Sequence, residues 1–207
     1  MSSNLPLILN LIAAIQTNFR QHKSADDAVN REIAKVLSLL EVLPPLEGSF
    51  PRSSHPVTRH LDAAFASGSD ATEKLLSAIR PVAYDLPWKY NYARRDDAPG
   101  LENTMGFAEI IGPEAPFRSK SVCLGLTLIG AETLYPTHFH PAIELYYVTA
   151  GTATWTADGS SRDKAPGTYI LHPSKIVHAM RTHKEPLLAV YSWSGDDVET
   201  LSSYSEK

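Results

Sequence analysis

Two histidines, a glutamate and a tyrosine occupy alternate positions in one short stretch of this 207-residue chain: His138, His140, Glu144 and Tyr146. On a continuous β-strand, side chains at alternate positions project from the same face, so we expect all four to point into one space. A third imidazole, His178, follows after a proline-containing turn and is expected to reach that space from a neighbouring strand. Imidazole nitrogens and carboxylate oxygens are the ligands that divalent transition metals take in proteins. The pattern therefore predicts a metal site held by the three histidines and the glutamate.

Pro141 lies inside this stretch and cannot donate a ladder hydrogen bond, so the strand can be bent there. A bulge at that position would break the argument from alternation. The types of ligand do not choose among zinc, iron, manganese, nickel and cobalt. We expect one divalent transition metal per chain, with zinc, iron or manganese as the candidates.

The remaining histidines carry weaker signals. His172 is predicted to lie on a strand near the site, in a structural or supporting role. Isolated histidines are usually surface or satisfied core residues, and this interpretation applies to His22, His55, His60 and His183.

The composition is that of an ordinary globular protein, with 43% hydrophobic and 20% charged residues. A net charge of −4 provides no basic surface for a nucleic acid. The single cysteine, Cys123, excludes an intrachain disulfide and fits a reducing compartment, so we expect a cytoplasmic protein. The apolar segment 5–15 is too short to span a bilayer, and its helical spacing predicts an amphipathic helix packed on the body. We expect no membrane partner.

The two halves of the chain differ in pattern. Residues from about 4 to 80 show helical spacing, with a capped helix start at 24–27. The chain becomes β-rich from about 107, with strands predicted at 121–129, 143–149, 168–172 and 187–193. The predicted fold class is mainly β with N-terminal helices (α+β), and the strands form a sandwich or small barrel. We divide the chain into a helical region, 1–106, that packs on a metal-binding domain, 107–207.

The metal pattern resembles the two cupin motifs. The first motif is matched by His138-x-His140-x3-Glu144-x6-Gly151, although seven residues rather than five separate Gly130 from the first histidine. The second is matched by Gly167, Pro173 and His178, with Lys175 in place of an inner glycine. This resemblance implies a cupin β-barrel, also called a double-stranded β-helix.

A narrower resemblance is to the cupin dimethylsulfoniopropionate (DMSP) lyases, which eliminate dimethyl sulfide from DMSP and leave acrylate. It is carried by the metal residues together with Tyr135, Tyr146, Pro173 and the segment Trp193-Ser194-Gly195. The general cupin motif does not require a tyrosine two residues after the glutamate, so Tyr146 is the discriminating residue. The resemblance implies Tyr146 as the catalytic base and Tyr135 as its assistant.

The implied chemistry agrees with the residue types. A free tyrosine has a pKa near 10, and a neighbouring divalent cation should lower that pKa enough for the phenol to act as a base. Aromatic faces attract sulfonium cations, which makes Trp193, Tyr90 and Tyr92 candidate substrate-binding residues. The expected partner is a small sulfonium carboxylate, and we also expect a homodimer.

Two other functions use the same residues differently. Another metal-dependent cupin enzyme, a dioxygenase or an isomerase, would act on a different small acid and would need no strand tyrosine. A small-molecule sensor would use the cupin fold only for binding, and it would normally carry a DNA-binding domain. The N-terminal helices have no basic recognition face for that purpose.

Overall fold

A computed structural model describes residues 4–96 and 98–204 of the chain. The helices are α1 (Leu5–Gln21), α2 (Asp27–Leu39), α3 (Leu61–Ala66), α4 (Glu73–Ile79) and α5 (Leu101–Thr104), with short 3-10 turns at Pro56–His60 and Ala83–Asp85. The strands are β1 (Trp88–Lys89), β2 (Met105–Gly112), β3 (Phe117–Arg118), β4 (Val122–Ile129), β5 (Leu134–Phe139), β6 (Ile143–Ala150), β7 (Ala153–Ala157), β8 (Ser160–Lys164), β9 (Tyr169–His172), β10 (His178–Thr182), β11 (Leu187–Ser194) and β12 (Ser203–Tyr204).

The described strands form two sheets in which almost all neighbours are antiparallel. The larger sheet has the order β1-β2-β4-β11-β6-β9, with β3 parallel to β2, and the smaller has the order β12-β5-β10-β7-β8. The predicted class, mainly β with N-terminal helices, is confirmed. The predicted β-barrel is not closed in the described residues, because no backbone ladder joins the two sheets. The chain crosses from one sheet to the other through unpaired connections, such as residues 140–142.

Strands β4, β6 and β11 are buried on both faces, and alternate side chains enter two different cores. Leu145 and Tyr147 of β6 join an apolar cluster that includes Ile8 and Ile33 of the helices. Tyr146, between them, enters a second cluster that residues of both sheets share. The helices therefore cover the outer face of the larger sheet, and the inner face looks toward the smaller sheet. This double burial explains why these strands appear in the sequence as nearly continuous apolar runs.

Helix α2 shows how the helical region is fixed to the larger sheet. The side chain of Asp26 accepts a hydrogen bond from the amide of Ala28 at 2.8 Å, which caps the helix start where the sequence predicted it. On the inner side of the helix, the buried carboxylate of Glu32 accepts a hydrogen bond from the hydroxyl of Ser194 on β11. The helix thus contacts the strand that runs beside β6.

The predicted strands 121–129, 143–149, 168–172 and 187–193 correspond to β4, β6, β9 and β11. The continuous strand expected through the paired histidines and the glutamate is wrong. β5 ends at Phe139 in the smaller sheet, and β6 begins at Ile143 in the larger one. Pro141 lies in the connection between them, because a residue without an amide hydrogen cannot donate to a ladder.

The border between the helical and β-rich parts is less sharp than the sequence suggests. Strand β1 (Trp88–Lys89) already pairs with β2, which begins at Met105. The division into 1–106 and 107–207 stays a prediction, and its positions 1–3, 97 and 205–207 lie outside the described residues. None of the helices in the described ranges combines the length and the apolar character needed to cross a bilayer.

Two leucines of α1 provide a test of how much the helical region stabilises the fold. Leu11 is fully buried, whereas Leu9 on the same helix is 39% exposed. We expect Leu11→Ala to lower the free energy of unfolding by about 3 kcal/mol, because it leaves a cavity under the helix. Leu9→Ala should cost less than about 1 kcal/mol. Denaturant titration measures both, and equal losses would contradict the packing of α1 described here.

Candidate metal centre and active site

The predicted metal ligands come together between the two sheets. His138 on β5 and His178 on β10 are neighbours in the smaller sheet, where their backbones pair directly. Glu144 lies on β6 of the larger sheet, and His140 lies in the connection between the sheets. The convergence predicted from the sequence is therefore present, but it arises from two sheets that face each other.

Three of the four residues form one compact group. The ligand atoms of His140, Glu144 and His178 all lie within 4.8 Å of one another, and all three residues are buried. One carboxylate oxygen of Glu144, Oε2, is 3.0 Å from Nε2 of His140 and 3.4 Å from Nε2 of His178. Two imidazole nitrogens and a carboxylate oxygen thus point at one small volume, as a transition-metal site requires.

Each of the three histidines is held with its other ring nitrogen turned away from this volume. The Nδ1 atoms of His138, His140 and His178 donate to the carbonyl oxygens of Pro136, Ala142 and Ile176 at 2.8, 3.0 and 2.9 Å. A carbonyl oxygen can only accept, so Nδ1 of each ring carries a proton and Nε2 is the nitrogen that faces the site. This hydrogen-bonding pattern is the one that orients histidine as a metal ligand.

The second carboxylate oxygen of Glu144 is also occupied. Trp193 on β11, directly opposite Glu144 in the ladder, donates from Nε1 to Oε1 at 2.7 Å. The indole ring of Trp193 also packs against the ring of His140, with 4.4 Å between centroids. The orientation of the carboxylate is therefore fixed from both sides.

The charges within this group depend on one another. Burial opposes ionisation of Glu144, but His140 and His178 outweigh it and hold the pKa of the carboxyl well below its usual range. Burial likewise disfavours the charged form of His140, yet Glu144 raises the pKa of that imidazole. The carboxylate is thus ionised, and it favours positive charge on the imidazole beside it.

The turn before His178 is attached to the connection that carries His140. Lys175 donates its backbone amide to the carbonyl of His140 at 2.8 Å, and the hydroxyl of Ser174 donates to the carbonyl of Pro141 at 2.6 Å. Lys175 has a φ of 62°, in the left-handed region that favours glycine. This is the position at which the sequence has a lysine in place of the inner glycine of the second cupin motif.

His138 lies beside the compact group of three. Its ring stacks on Tyr135 at 3.8 Å between centroids and meets the ring of His178 at 4.1 Å. Burial and His178 lower the pKa of His138 well below its usual range, so the ring is neutral and can act as a ligand. Its role as a fourth ligand stays a prediction.

His172 takes the supporting position that the sequence suggested. It lies opposite Glu144 in the ladder on β9, and its ring stacks on that of His178 at 4.0 Å and 15° between planes. Burial and His178 lower its pKa to about 3. Stacking by a neutral ring keeps the imidazole of His178 in its plane.

Tyr146 lies two residues after Glu144 on the inner face of β6 and is 1% exposed. Burial and the carboxylate of Glu144 raise the pKa of Tyr146 well above its usual range. Burial and the surrounding tyrosines raise the pKa of Tyr135 in the same direction. Without a cation nearby, both phenols are therefore neutral.

A cavity of about 530 Å³ reaches this group from outside. Of the predicted substrate-binding residues, Trp193 and Tyr92 line it, together with Glu144. Tyr90 is not part of that lining, and its hydroxyl instead makes a hydrogen bond of 3.0 Å with the hydroxyl of Tyr204. Tyr146 is not part of that lining either.

The donor set fits a bound transition metal. The Nε2 atom of His178 is buried and has no hydrogen-bond partner, although burial makes such an atom costly. A cation between His140, Glu144 and His178 would use this lone pair and would replace the close contacts to the glutamate. The residues can therefore hold a metal, and their types do not decide which one.

The sequence profile of dimethylsulfoniopropionate lyases matches residues 28–189 of the chain, which include every residue of the compact group. The chain belongs to the dimethylsulfoniopropionate lyase family. The DMSP lyase DddQ of Ruegeria pomeroyi is 30% identical over 162 residues, covering 75% of this chain and 81% of that protein. DddL of Cereibacter sphaeroides, named provisionally as a lyase of the same substrate, is 30% identical over 169 residues, 81% of this chain and 71% of DddL.

Solved structures of DMSP lyases have the same fold. The crystal structure of Ruegeria pomeroyi DddQ superposes with a TM-score of 0.82 at 25% identity, and the match covers 97% of both chains. A chain from the crystal structures of the DMSP lyases RdDddP and RnDddQII superposes with a TM-score of 0.84 at 23% identity, over 99% of this chain and 100% of that one. The helical region and the two sheets are thus shared with solved members of the DMSP lyase family.

Trp193→Phe tests whether the indole hydrogen bond positions Glu144. We expect the affinity for a divalent metal to fall about 10–100-fold, since the carboxylate loses the donor that orients it. Trp155→Phe is the matched control, because the Nε1 atom of Trp155 has no hydrogen-bond partner in the described structure. Competition with a chromophoric chelator measures the metal affinity of both variants. Equal metal affinities would show that the Trp193 hydrogen bond does not position Glu144 for metal binding.

Proposed function

We propose that this chain is a metal-dependent lyase that splits DMSP into dimethyl sulfide and acrylate by β-elimination. The observation that carries the proposal is the buried group of His140, Glu144 and His178 with Tyr146 beside it on the inner face of β6. Membership of the DMSP lyase family supplies the substrate class.

The metal ligands in this proposal are His138, His140, Glu144 and His178. The support differs between them, since the last three already form the compact group. His138 would complete the set from the neighbouring strand, where its Nδ1 is fixed in the same way as in the other two histidines.

In the reaction, a base removes the proton from the carbon next to the carboxylate. The electron pair of that C–H bond forms the new C=C bond, and the bond between the β carbon and sulfur breaks. Sulfur takes that bonding pair and leaves as neutral dimethyl sulfide. We assign the base role to Tyr146, because its phenol is the proton acceptor nearest in the strand to Glu144 and is shielded from solvent.

A divalent cation bound by these ligands would lower the pKa of the neighbouring phenol and stabilise the negative charge that develops at the substrate carboxylate. The rest of the site excludes water and fixes orientation. Tyr135 would assist through its stacking on His138, which keeps that ring in place. Trp193, Tyr92 and, at the rim, Tyr90 would bind the sulfonium group through their aromatic faces. The cytoplasmic location and the homodimer stay predictions.

The activity itself is tested by incubating the purified chain with DMSP and measuring dimethyl sulfide in the headspace. We expect release with bound metal and loss of release after treatment with a chelator, restored by adding a divalent metal. The same assay without oxygen separates the lyase from a dioxygenase on the same scaffold, because elimination consumes no oxygen. Absence of dimethyl sulfide from the metal-loaded protein would contradict the proposal.

Tyr146→Phe tests the identity of the base. We expect the rate of elimination to fall by about 10²–10⁴-fold while the metal content stays near normal, because only the phenol oxygen is removed. Tyr147→Phe is the matched control on the same strand, since Tyr147 faces the helices and its buried hydroxyl has no partner among the described residues. Initial rates and metal content per chain are the measurements. A Tyr146→Phe variant with the original rate would exclude Tyr146 as the base.

A further inference from the structure

The hydroxyl of Thr127 is a polar group buried in the centre of the larger sheet. Thr127 lies on β4 and is fully buried, and its Oγ1 atom makes no hydrogen bond of normal geometry with any described residue. An unsatisfied hydroxyl at such depth lowers stability, and valine would fill the same space without that cost. A buried polar group of this kind calls for a functional explanation.

The side chain of Thr127 points into the space between the two sheets. Its chain neighbours Leu126 and Leu128 belong to the apolar cluster under the helices. Side chains alternate along a strand, so Thr127 projects from the opposite, inner face of β4. Tyr146 projects from the inner face of β6 and belongs to the second cluster. The two residues therefore share one face of the sheet.

One strand, β11, separates Thr127 from Tyr146, and its side chains leave a path between them. Ala189 is the residue of β11 that pairs with Thr127, and its methyl group leaves room above the strand. Tyr191, which pairs with Tyr146, leans toward β4, because a side chain at Gly125 would lie 2.7 Å from its Cε1 atom. The ring of Tyr146 can thus extend across β11 toward Thr127.

The influences on the phenol of Tyr146 show that Thr127 is its neighbour. Burial raises the pKa of Tyr146, and the carboxylate of Glu144 raises it further because it accepts a hydrogen bond from the phenol. The hydroxyl of Thr127 lowers this pKa, because it is close enough to donate toward the phenol oxygen. The phenol thus lies between an acceptor on its own strand and a donor two strands away.

We propose that Thr127 is a positioning residue, whose hydroxyl donates a hydrogen bond to the phenol oxygen of Tyr146 and fixes that oxygen for proton abstraction. The inference rests on the proposed function, which assigns the base role to Tyr146. A proton acceptor acts best when its oxygen is held at one distance and in one orientation. Among the described residues, Thr127 does not line the cavity, so it acts on the substrate only through Tyr146.

Two substitutions at position 127 separate the hydroxyl from the shape of the side chain. Thr127→Val keeps the branched shape and removes the hydroxyl, whereas Thr127→Ser keeps the hydroxyl and removes the methyl group. We expect kcat for DMSP cleavage to fall about tenfold in Thr127→Val, the effect of one hydrogen bond to the reacting group, with KM and metal content near the original. Thr127→Ser should keep kcat within about threefold of the original, as the hydroxyl is retained. Unfolding midpoints confirm that both variants are folded.

A spectroscopic measurement on the metal-loaded protein tests the contact without turnover. Fluorotyrosine incorporated at position 146 gives a fluorine NMR signal that responds to hydrogen bonding at the phenol oxygen. We expect Thr127→Val to shift this signal and Thr127→Ser to leave it close to its original position. Ser192→Ala is the matched control, since it removes another buried hydroxyl that has no partner among the described residues. Ser192 lies on β11 opposite Leu145, on the face that the helices cover, so its removal should leave the signal unchanged.

The outcomes distinguish this inference from the proposed function. A loss of kcat in Thr127→Val with recovery in Thr127→Ser supports the positioning role. An unchanged kcat in Thr127→Val would overturn it, and so would equal losses in both variants, which would trace the effect to packing. If the original chain releases no dimethyl sulfide, the proposed function fails and the fluorine signal decides alone. A signal shifted only by Thr127→Val supports the hydrogen bond, and a signal that Thr127→Val leaves in place overturns it.

Discussion

The structure of this site depends on one buried carboxylate. Glu144 is 2% exposed, and an ionised carboxyl at that depth is tolerated only if both oxygens are satisfied. Oε1 accepts from the indole of Trp193, and Oε2 faces the imidazoles of His140 and His178. Removing any of these partners would leave charge uncompensated in the interior. The surrounding elements can therefore be understood as the scaffold that delivers each partner to this position.

Each partner comes from a different part of the fold. The larger sheet provides Glu144 and Trp193 as direct cross-strand neighbours, and the smaller sheet provides His178. The connection with His140 is attached to the turn before His178 through the amide of Lys175. Because helices cover the outer face of the larger sheet, its central strands are enclosed on both sides. Such enclosure suits a site whose ligands must keep their positions before a metal binds.

Much of this could be predicted from the sequence, for reasons that are physical. Apolar runs identified β4, β6 and β11, and the types and spacing of the histidines and the glutamate identified the residues of the compact group that could hold a metal. The continuous strand through Pro141 was wrong, since alternation cannot distinguish one strand from two strands in facing sheets. The hydrogen bond from Trp193 to Glu144 depends on pairing between residues 49 positions apart, which no local pattern reveals.

The carboxylate of Glu144 organises the site, but it also disfavours ionisation of the proposed base, Tyr146. Burial and the negative charge of Glu144 both raise the pKa of Tyr146, so the phenol stays protonated as long as no positive charge lies nearby. Positive charge introduced between His140, Glu144 and His178 would oppose this effect and lower the pKa of the phenol. In the proposed mechanism, the reactivity of Tyr146 would therefore depend on a cation bound in the group beside it. The buried tyrosine would stay neutral until that cation binds, so that assembly of the site and its chemistry would be separate events.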